Sequence, residues 1–280
     1  MTKDLDAIPI HDNHFHCHPA GWKGLDAVRE FMAAGGTSIA HIRLPSYPSN
    51  VEAFEQSCRD HIAFGQKIRD ETGCRVWTVL GPYPLEPLKI AEAQGWEAAT
   101  AYGRACYDAA ARFIEAGDAV CMGEVGRPHF EVDDEAWAAS NELLSYGMGL
   151  CADLDVPILL HTEHTDPDVM AEFAAMADGA GLARDRVIKH YCGPLVKQEE
   201  NHGLFPSVIA GRSNIRAALA KQSDRFMLET DYIDEPTRPN VVMPPTTVPK
   251  RVRGLLQSGE LPEETAWKMG KEWPEAFYGA

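Results

Sequence analysis

The sequence predicts a (β/α)8 TIM barrel, regular or distorted, built as a single domain from residues 1–280. Three observations indicate this fold. β-rich and helical segments alternate along nearly the whole chain, and such a barrel takes about 250 residues plus modest insertions. A third observation is that five short apolar runs end in His, Glu or Asp. Because parallel barrel strands bring their C-terminal ends to one rim, we expect these side chains to meet there.

The individual elements are predicted from hydrophobic periodicity and from Gly and Pro at the boundaries. Predicted strands cover residues 8–13, 37–45, 74–81, 119–126, 156–161, 186–190, 204–210 and 225–231. Predicted helices cover 25–36, 50–73, 87–117 with a break at Gly95, 133–155, 166–179 and 213–223, with a closing helical pair over 248–278. Residues 241–249 are predicted to be the loop after the eighth strand. No glycine-rich phosphate-binding motif comes after any strand, which excludes dinucleotide and P-loop folds.

The chain is acidic, with 42 Asp and Glu against 26 Lys and Arg and a formal net charge of −16. This balance disfavours extended nucleic-acid binding and favours a small or short anionic substrate. No apolar run approaches the length of a membrane span, and no signal peptide precedes the first strand. The seven cysteines are scattered without a Cys-X-X-Cys pair. That pattern indicates reduced, buried thiols in a cytoplasmic protein. The sequence predicts no particular oligomeric state.

The first pair of ligand candidates is His14 and His16, at the end of the first strand. Strand alternation places both imidazoles on one face, where they can reach the same ion, and turns Phe15 toward the helices. The alternative is a polar loop in which two histidines occur by chance. Asp12 falls on the same face one step earlier and is expected to support the ligands.

Four further strand ends supply the other candidates, which are Glu124, His161, His190 and Asp231. A carboxylate such as Glu124 can bridge two divalent ions, whereas an imidazole cannot. Each residue also has an ordinary alternative: helix or loop capping for the carboxylates, and a hydrogen-bonded core position for the imidazoles. Asp231 can additionally accept a proton from an activated water as the general base.

Neighbouring residues are interpreted from their position relative to these ligands. Glu229 precedes the last ligand by two residues on the same face and is expected to orient an imidazole. Gly123 and Gly126 flank the bridging carboxylate and are expected to permit close approach of metal or substrate. Lys189 precedes the sixth-strand ligand and is expected to point away from it, into a salt bridge facing the helices.

Loop residues after the strands are candidates for binding the substrate: Arg43, Arg127, His129 and His164. The two arginines can each hold a phosphate or carboxylate through paired hydrogen bonds. Ordinary salt bridging within the loops is the alternative for both arginines. Tyr83, after the third strand, adds a hydroxyl group to the same rim.

The ordered set of motifs resembles a known family. The segments that carry the resemblance are "DNHFHCHP", "GEVG", "ILLHTEH", "KHYCG" and "LETD", together with the C-terminal "AWKMGKEWPEAFYG". They are similar to those of the TatD-like metal-dependent hydrolases of the amidohydrolase (urease-like) superfamily. The resemblance implies a site for two divalent ions (Zn, Mn or Mg). One ion is then held by His14, His16, Glu124 and Asp231, and the other by Glu124, His161 and His190.

Two segments depart from the family pattern. "GRPHF" comes after the fourth strand where TatD nucleases carry an acidic residue, and "TDYIDEP" stands in place of a short Thr-Asp-Ala-Pro turn. The similarity is therefore closer to an uncharacterised archaeal-type branch. The leading hypothesis is a two-metal hydrolase of phosphoesters, including phosphodiesters or short nucleic acids, with Asp231 as the base. A small amide or lactone is the alternative substrate, and a non-catalytic metal-binding barrel is the second alternative.

Overall fold

A computed structural model describes residues 5–239 and 241–280. Its strands are β1 (His11–His16), β2 (Ser38–Ile42), β3 (Arg75–Leu80), β4 (Cys121–Gly126), β5 (Ile158–His161), β6 (Val187–Cys192), β7 (Phe205–Ile209), β8 (Met227–Glu229) and β9 (Tyr232–Ile233). They pair in parallel in the order β8-β7-β6-β5-β4-β3-β2-β1-β9. The sheet curls into a TIM-barrel-like form with helices between the strands, so the predicted fold is confirmed.

The eighth strand of the barrel is split, which is the main distortion. β8 pairs with β7, and β9, a few residues later, pairs with β1. Asp231 lies between the two pieces with a left-handed backbone (φ 49). The Asp12 carboxylate joins β1 to this break by accepting from the Thr230 amide at 2.9 Å and hydroxyl at 2.6 Å. At this junction of β1 with β8 and β9, the barrel seam, side-chain hydrogen bonds of Asp12 take the place of the backbone hydrogen bonds of a regular strand.

Helices connect the strands around the barrel. They are α1 (Leu25–Ala33), α2 (Val51–Thr72), α3 (Glu86–Gln94), α4 (Trp96–Glu115), α5 (Asp134–Leu154), α6 (Pro167–Ala180), α7 (Gln198–Asn201), α8 (Arg212–Ala220), α9 (Thr247–Ser258), α10 (Glu263–Trp267) and α11 (Trp273–Tyr278). The predicted break at Gly95 separates α3 from α4. The predicted loop over 241–249 is wrong at its end, because Thr247 begins α9. Pro249 is accepted there because the first turn of a helix needs no amide donor.

The barrel floor is sealed by the C-terminal helix. Phe277 and Tyr278 of α11 pack in one cluster with barrel residues such as Trp77 and Phe205. The Tyr278 hydroxyl donates to Asn13 Oδ1 at 2.8 Å. This arrangement confirms the predicted closing helical pair, α9 and then the α10–α11 segment. It leaves the opposite, C-terminal rim of the strands for a site.

Three strands are irregular where they carry predicted ligands. Strand pairing shifts over residues 12–15 of β1, 123–125 of β4 and 189–192 of β6. Such β-bulges re-aim side chains and are common beside functional sites. Here each bulge contains one of the candidate ligands at positions 14, 124 and 190. Simple alternation therefore fails at these three points.

Asp12 and Phe15 lie on either side of the bulge in β1. Phe15 packs against Phe31 of α1 with ring centroids 5.8 Å apart, as predicted. The Asp12 carboxylate accepts from Thr230 and, at 3.3 Å, from the His14 amide, so it contacts the backbone beside the candidate ligands and not their imidazoles. Burial raises the pKa of Asp12 to about 7, against hydrogen bonds that lower it.

The glycines beside Glu124 serve the contact with β5. A Cβ on Gly126, whose φ is 145, would lie 2.2 Å from the His161 carbonyl oxygen. A Cβ on Gly123 would lie 2.8 Å from the Cβ of Leu159. Close approach of a neighbouring strand accounts for both glycines, and the expected close approach of metal or substrate stays a prediction.

Two further predictions concern the burial of the cysteines and the absence of membrane-spanning segments. All seven cysteines are free and buried, as predicted. Within the described residues, none of the helices combines the length and apolar character needed to cross a membrane.

Candidate metal centre

The six predicted ligands converge at the C-terminal rim of the barrel. Nε2 of His14 lies 3.0 Å from Nε2 of His16 and 3.1 Å from Oε2 of Glu124. Oδ1 of Asp231 lies 3.8 Å from the His14 nitrogen and 3.7 Å from the His16 nitrogen. His14, His16 and Asp231 thus form one group of atoms able to hold an ion.

A second group forms on the other side of Glu124. Its Oε2 lies 3.3 Å from His161 Nδ1 and 3.9 Å from His190 Nε2. Glu124, His161 and His190 therefore form a second candidate set. Because the same carboxylate oxygen faces His14 as well, Glu124 lies between the two groups.

Glu229 supports the centre from below and is nearer to it than the sequence indicated. Its Oε1 lies 2.9 Å from His190 Nδ1, although the direction falls outside hydrogen-bond geometry. The carboxylate accepts from the Tyr191 amide at 2.7 Å and from the Ser207 hydroxyl. With His14 and His190, Glu229 completes a third group of possible ligands. Its place two residues before Asp231 was the only sequence signal for this role.

Burial favours the neutral form of three imidazoles of the centre, those of His14, His16 and His190. Burial and the neighbouring His14 lower the pKa of His16 to about 3. The pKa of His14 and that of His190 are also lowered, chiefly by burial. Neutral imidazoles keep a lone pair for a metal ion.

The carboxylates divide into two kinds. Burial raises the pKa of Glu124, but His161 and His14 outweigh it and hold that pKa well below its usual range. Burial, and after it the charges of Glu124 and Glu229, raises the pKa of Asp231 well above its usual range. The pKa of Glu229 is raised by burial as well. The centre therefore concentrates negative potential that a cation would relieve.

The donor set fits divalent metal ions. Ligand atoms bound at about 2.0–2.1 Å lie roughly 3.0–3.4 Å from one another around a tetrahedral or octahedral ion. The closest separations around His14 and Glu124 fall in this range. Glu124 Oε2, His14 Nδ1 and His161 Nδ1 are buried without a hydrogen-bond partner among the described residues. Mixed imidazole and carboxylate ligands suit Zn, Mn or Mg.

Arg43 is committed to an internal ion pair. Its buried Nη2 donates to both oxygens of Glu86 at 2.8 Å, and Nη1 contacts Ser46 and Ser57. This placement favours the salt-bridge alternative over the predicted contact with substrate. The partner lies 43 residues away and at the start of α3, so sequence proximity did not reveal it.

Arg127 is likewise enclosed by the protein. Its guanidinium pairs with Glu163 and, at 2.9 Å, with Glu172 of α6. The rings of Trp137 and Phe173 cover it at 4.4 Å and 4.3 Å. With no side-chain exposure, Arg127 has the surroundings of a structural cation that ties the loop after β4 to α5 and α6.

The other residues predicted to lie on this rim, His129, Tyr83 and His164, are not enclosed by ion pairs as the two arginines are. His129 is exposed, and its Nδ1 lies 3.0 Å from His161 Nε2. The Tyr83 hydroxyl lies 3.4 Å from the same nitrogen. His164 is exposed in the loop after β5. His129 and Tyr83 thus border the centre directly, and His164 lies further out along the chain.

Exposed aromatic residues also lie in or beside the segments after the strands on this rim. They are Trp22, Tyr47, Phe130 and Tyr191, with 44, 47, 50 and 51% exposure. Tyr47 and Tyr191 have left-handed backbones with φ of 48 and 50, which is unusual for bulky residues. Tyr191 comes directly after the ligand His190, with ring centroids 5.7 Å apart. The set is not apparent in the sequence, because each residue belongs to a different segment.

Lys189 lacks the predicted salt bridge. Its buried ammonium donates to the His190 carbonyl, and among the described residues no carboxylate lies within 4.0 Å of it. Burial lowers the pKa of Lys189. The expected partner on the helices is absent because this side chain folds back on its own strand.

A curled parallel sheet with histidine and carboxylate ligands at its C-terminal rim defines a class, the metal-dependent hydrolase barrels of the amidohydrolase type. The family described as "TatD related DNase" matches residues 11–279. The chain belongs to this TatD family, as the sequence motifs indicated.

Relatives of the chain agree with this assignment. It is 34% identical over 277 residues to the uncharacterized protein MJ1127 of Methanocaldococcus jannaschii, covering 98% of this chain and 97% of that protein. The crystal structure of YjjV, a TatD homolog from Escherichia coli K12, aligns with a TM-score of 0.63 at 18% identity, covering 96% and 98% of the two chains. A TatD family hydrolase from Entamoeba histolytica aligns with a TM-score of 0.62 at 11% identity, covering 98% and 100%. The two structural similarities show the fold.

Proposed function

We propose that this protein is a hydrolase that uses two divalent metal ions to cleave a phosphoester. The observation that carries the proposal is the convergence of six potential ligands at one rim, where Glu124 Oε2 and His161 Nδ1 are buried without a hydrogen-bond partner among the described residues. The His14, His16 and Asp231 group takes one ion and the His161 and His190 group takes the other. Glu124, which faces both groups, would contribute to holding both ions. A storage site would not need a carboxylate such as Asp231 that can act as a base.

Asp231 is proposed as the general base. When bound, the ions supply Lewis acidity that acidifies a water molecule and polarises the bond being cleaved. The Asp231 carboxylate lies at the mouth of the centre with 8% exposure, where it can accept a proton from that water and deliver it to the leaving group. Its left-handed backbone lifts it out of the eighth strand toward this position.

The exposed aromatic residues on the rim favour a small or short substrate that contains a planar group. Tyr47, Phe130 and Tyr191 offer exposed ring faces on which a base or another flat ring can stack. The family description as DNases agrees with a phosphoester. The net charge of −16 opposes binding of long nucleic acid. His129 and His164 are the proposed polar contacts, since both are exposed on this rim.

An uncharged amide or lactone is the second candidate substrate. The specific observation in its favour is that Arg43 and Arg127 are both neutralised by carboxylates of the protein. A rim on which these two arginines are already paired has less to offer a phosphate than the sequence indicated. Arg43 and Arg127 remain candidates for substrate binding only if these ion pairs open.

Metal content tests the two-ion proposal. We expect near two equivalents of divalent metal by elemental analysis of protein loaded with Zn, Mn or Mg. A His161→Ala, His190→Ala double variant should lose one equivalent or more. A His18→Asn, His202→Asn double variant removes two imidazoles outside the centre and should keep both ions. A single equivalent in fully loaded protein would contradict the two-ion arrangement.

Activity tests the substrate and the base. We expect the metal-loaded protein to hydrolyse an aryl phosphodiester or a short single-stranded oligonucleotide faster than a lactone or cyclic amide. An Asp231→Asn variant should lose about 10²- to 10⁴-fold in kcat while at least one ion stays bound. Normal rates in that variant would rule out Asp231 as the base, and preference for the lactone would move the substrate to the second class.

A further inference from the structure

A cavity lies between α8 and α9, and none of its lining residues is a candidate metal ligand. Its volume is about 420 Å³, within the range of small-molecule sites. The polar side chains that line it include Arg212, Arg216, Thr246, Lys250, Arg251 and Glu260. None of them belongs to the groups that can hold the metal ions. The cavity is therefore a separate feature of the fold.

The cavity concentrates unpaired positive charge. Its one carboxylate, Glu260, is held by Arg216 through hydrogen bonds of 2.8 and 3.2 Å. For Arg212, Lys250 and Arg251, no carboxylate of the described residues lies within 4.0 Å. Such a cluster is unexpected in a chain with a net charge of −16. Like charges gathered without a partner repel one another, and an anion would relieve that repulsion.

Two helix N-termini border the same cavity. α8 begins at Arg212, and α9 begins at Thr247 after Thr246, and neither helix has a side-chain cap. Their first turns also contain no acidic residue, whereas every other described α-helix has Asp or Glu in its first turn. Basic residues oppose the helix dipole at an N-terminus, so Arg212 and Lys250 are placed against local helix stability. Both observations are accounted for by a bound anion.

Arg251 carries a further sign of a missing partner. Its Nη1 is buried without a hydrogen-bond acceptor among the described residues. Burial and the nearby charge of Arg212 lower the pKa of Arg251. A buried donor left unsatisfied is costly, and an anion oxygen would satisfy it.

We propose that the cavity between α8 and α9 binds the phosphate group of a small molecule through Arg212, Lys250, Arg251 and the first-turn amides of both helices. Phosphate is favoured over a single carboxylate because it offers more acceptor oxygens and more charge to three cations and two helix ends. The cavity exceeds the volume of the phosphate group itself, so it has room for the organic part of the ligand. The proposal is independent of the reaction at the metal centre.

Calorimetric titration with inorganic phosphate, at constant ionic strength on metal-loaded protein, tests this site. We expect a phosphate site, separate from any phosphate held at the metal centre, that weakens about tenfold or more in an Arg212→Gln, Lys250→Gln double variant, because two charge-assisted contacts are lost. Both side chains are exposed, so the variant should fold normally. An Arg59→Gln, Lys89→Gln variant changes the net charge equally on other helices and should bind phosphate like the unsubstituted protein.

Three results would overturn the proposal. The first is no binding of phosphate by the unsubstituted protein at millimolar concentration. The second is equal binding by the cavity variant, which would assign phosphate to the metal centre. The third is equal weakening in the two double variants, which would reduce the effect to net charge. Hydrolytic activity serves as a separate readout and should be unchanged in the cavity variant.

Discussion

His11 provides a quantitative test of how burial of an imidazole makes the stability of this barrel depend on pH. The imidazole is 3% exposed on the barrel floor, with Nδ1 3.1 Å from the Ser38 hydroxyl and Nε2 3.2 Å from Asn13 Oδ1. Burial lowers the pKa of His11 from 6.5 to about 4. In the unfolded chain the pKa returns to about 6.5. The two states therefore bind protons differently between these values.

The sign of the effect is set by proton linkage. As the pH falls, the unfolded chain binds the proton first, so His11 costs stability in acid. Its neutral form is fully compatible with folding above about pH 6.5, and stability is lost as the pH falls from there toward 4. At about pH 5 this difference lowers the free energy of unfolding by about 2 kcal/mol. Near pH 7.5 its effect on the free energy of unfolding is close to zero.

A His11→Gln variant isolates this contribution, because glutamine keeps a polar group but does not titrate. Urea unfolding of metal-free protein and variant, monitored by circular dichroism, gives both free energies near pH 7.5 and near pH 5. We expect the unsubstituted protein to lose about 2 kcal/mol more than the variant between the two pH values. Contributions of Asp12 and the metal-centre carboxylates are shared by both proteins and cancel in the difference. A gap between the two proteins that does not change with pH would refute the reasoning.

Two further changes test the barrel seam and the β4–β5 contact. Thr230→Val removes one donor from the buried Asp12 carboxylate and should cost about 2–3 kcal/mol of unfolding free energy, measured in urea; a loss below about 0.5 kcal/mol would show that the seam does not depend on it. Gly126→Ala should cost about 3 kcal/mol and lower the metal content, because its Cβ meets the backbone beside a ligand at His161. Gly149→Ala is the matched control, with open space in a helix, and should stabilise by about 0.5–1 kcal/mol.

The convergence of the candidate ligands was readable from the sequence because five of them lie in strands and the sixth, Asp231, comes two residues after the end of β8. His14, Glu124 and His190 lie in or directly after apolar runs, so their chain position fixes the rim on which they lie. Their detailed orientation was not readable, because a β-bulge is defined by pairing with another strand. The split at Asp231 was missed for the same reason, since β9 is recognisable only by its partner β1.

The arginine assignments show a different limit. Arg43 and Arg127 have the chemistry of phosphate ligands, and their positions after β2 and β4 were correctly placed on the rim side. Their partners Glu86 and Glu172 lie 43 and 45 residues away. A sequence pattern shows which side chains lie at a strand end. It does not show which carboxylate, distant in the sequence, forms an ion pair with them.

The bulges at the three ligand positions have a consequence for how such a barrel can change. A bulge is one extra residue in one strand, and removing it restores regular pairing while reversing the face of the later residues in that strand. Deleting Lys189 would therefore bring residue 190 into register with Pro206, turn this candidate ligand to the opposite face of β6 and leave the strand in the sheet. We therefore expect one deletion in this strand to remove the proposed metal centre while the core of the barrel stays in place.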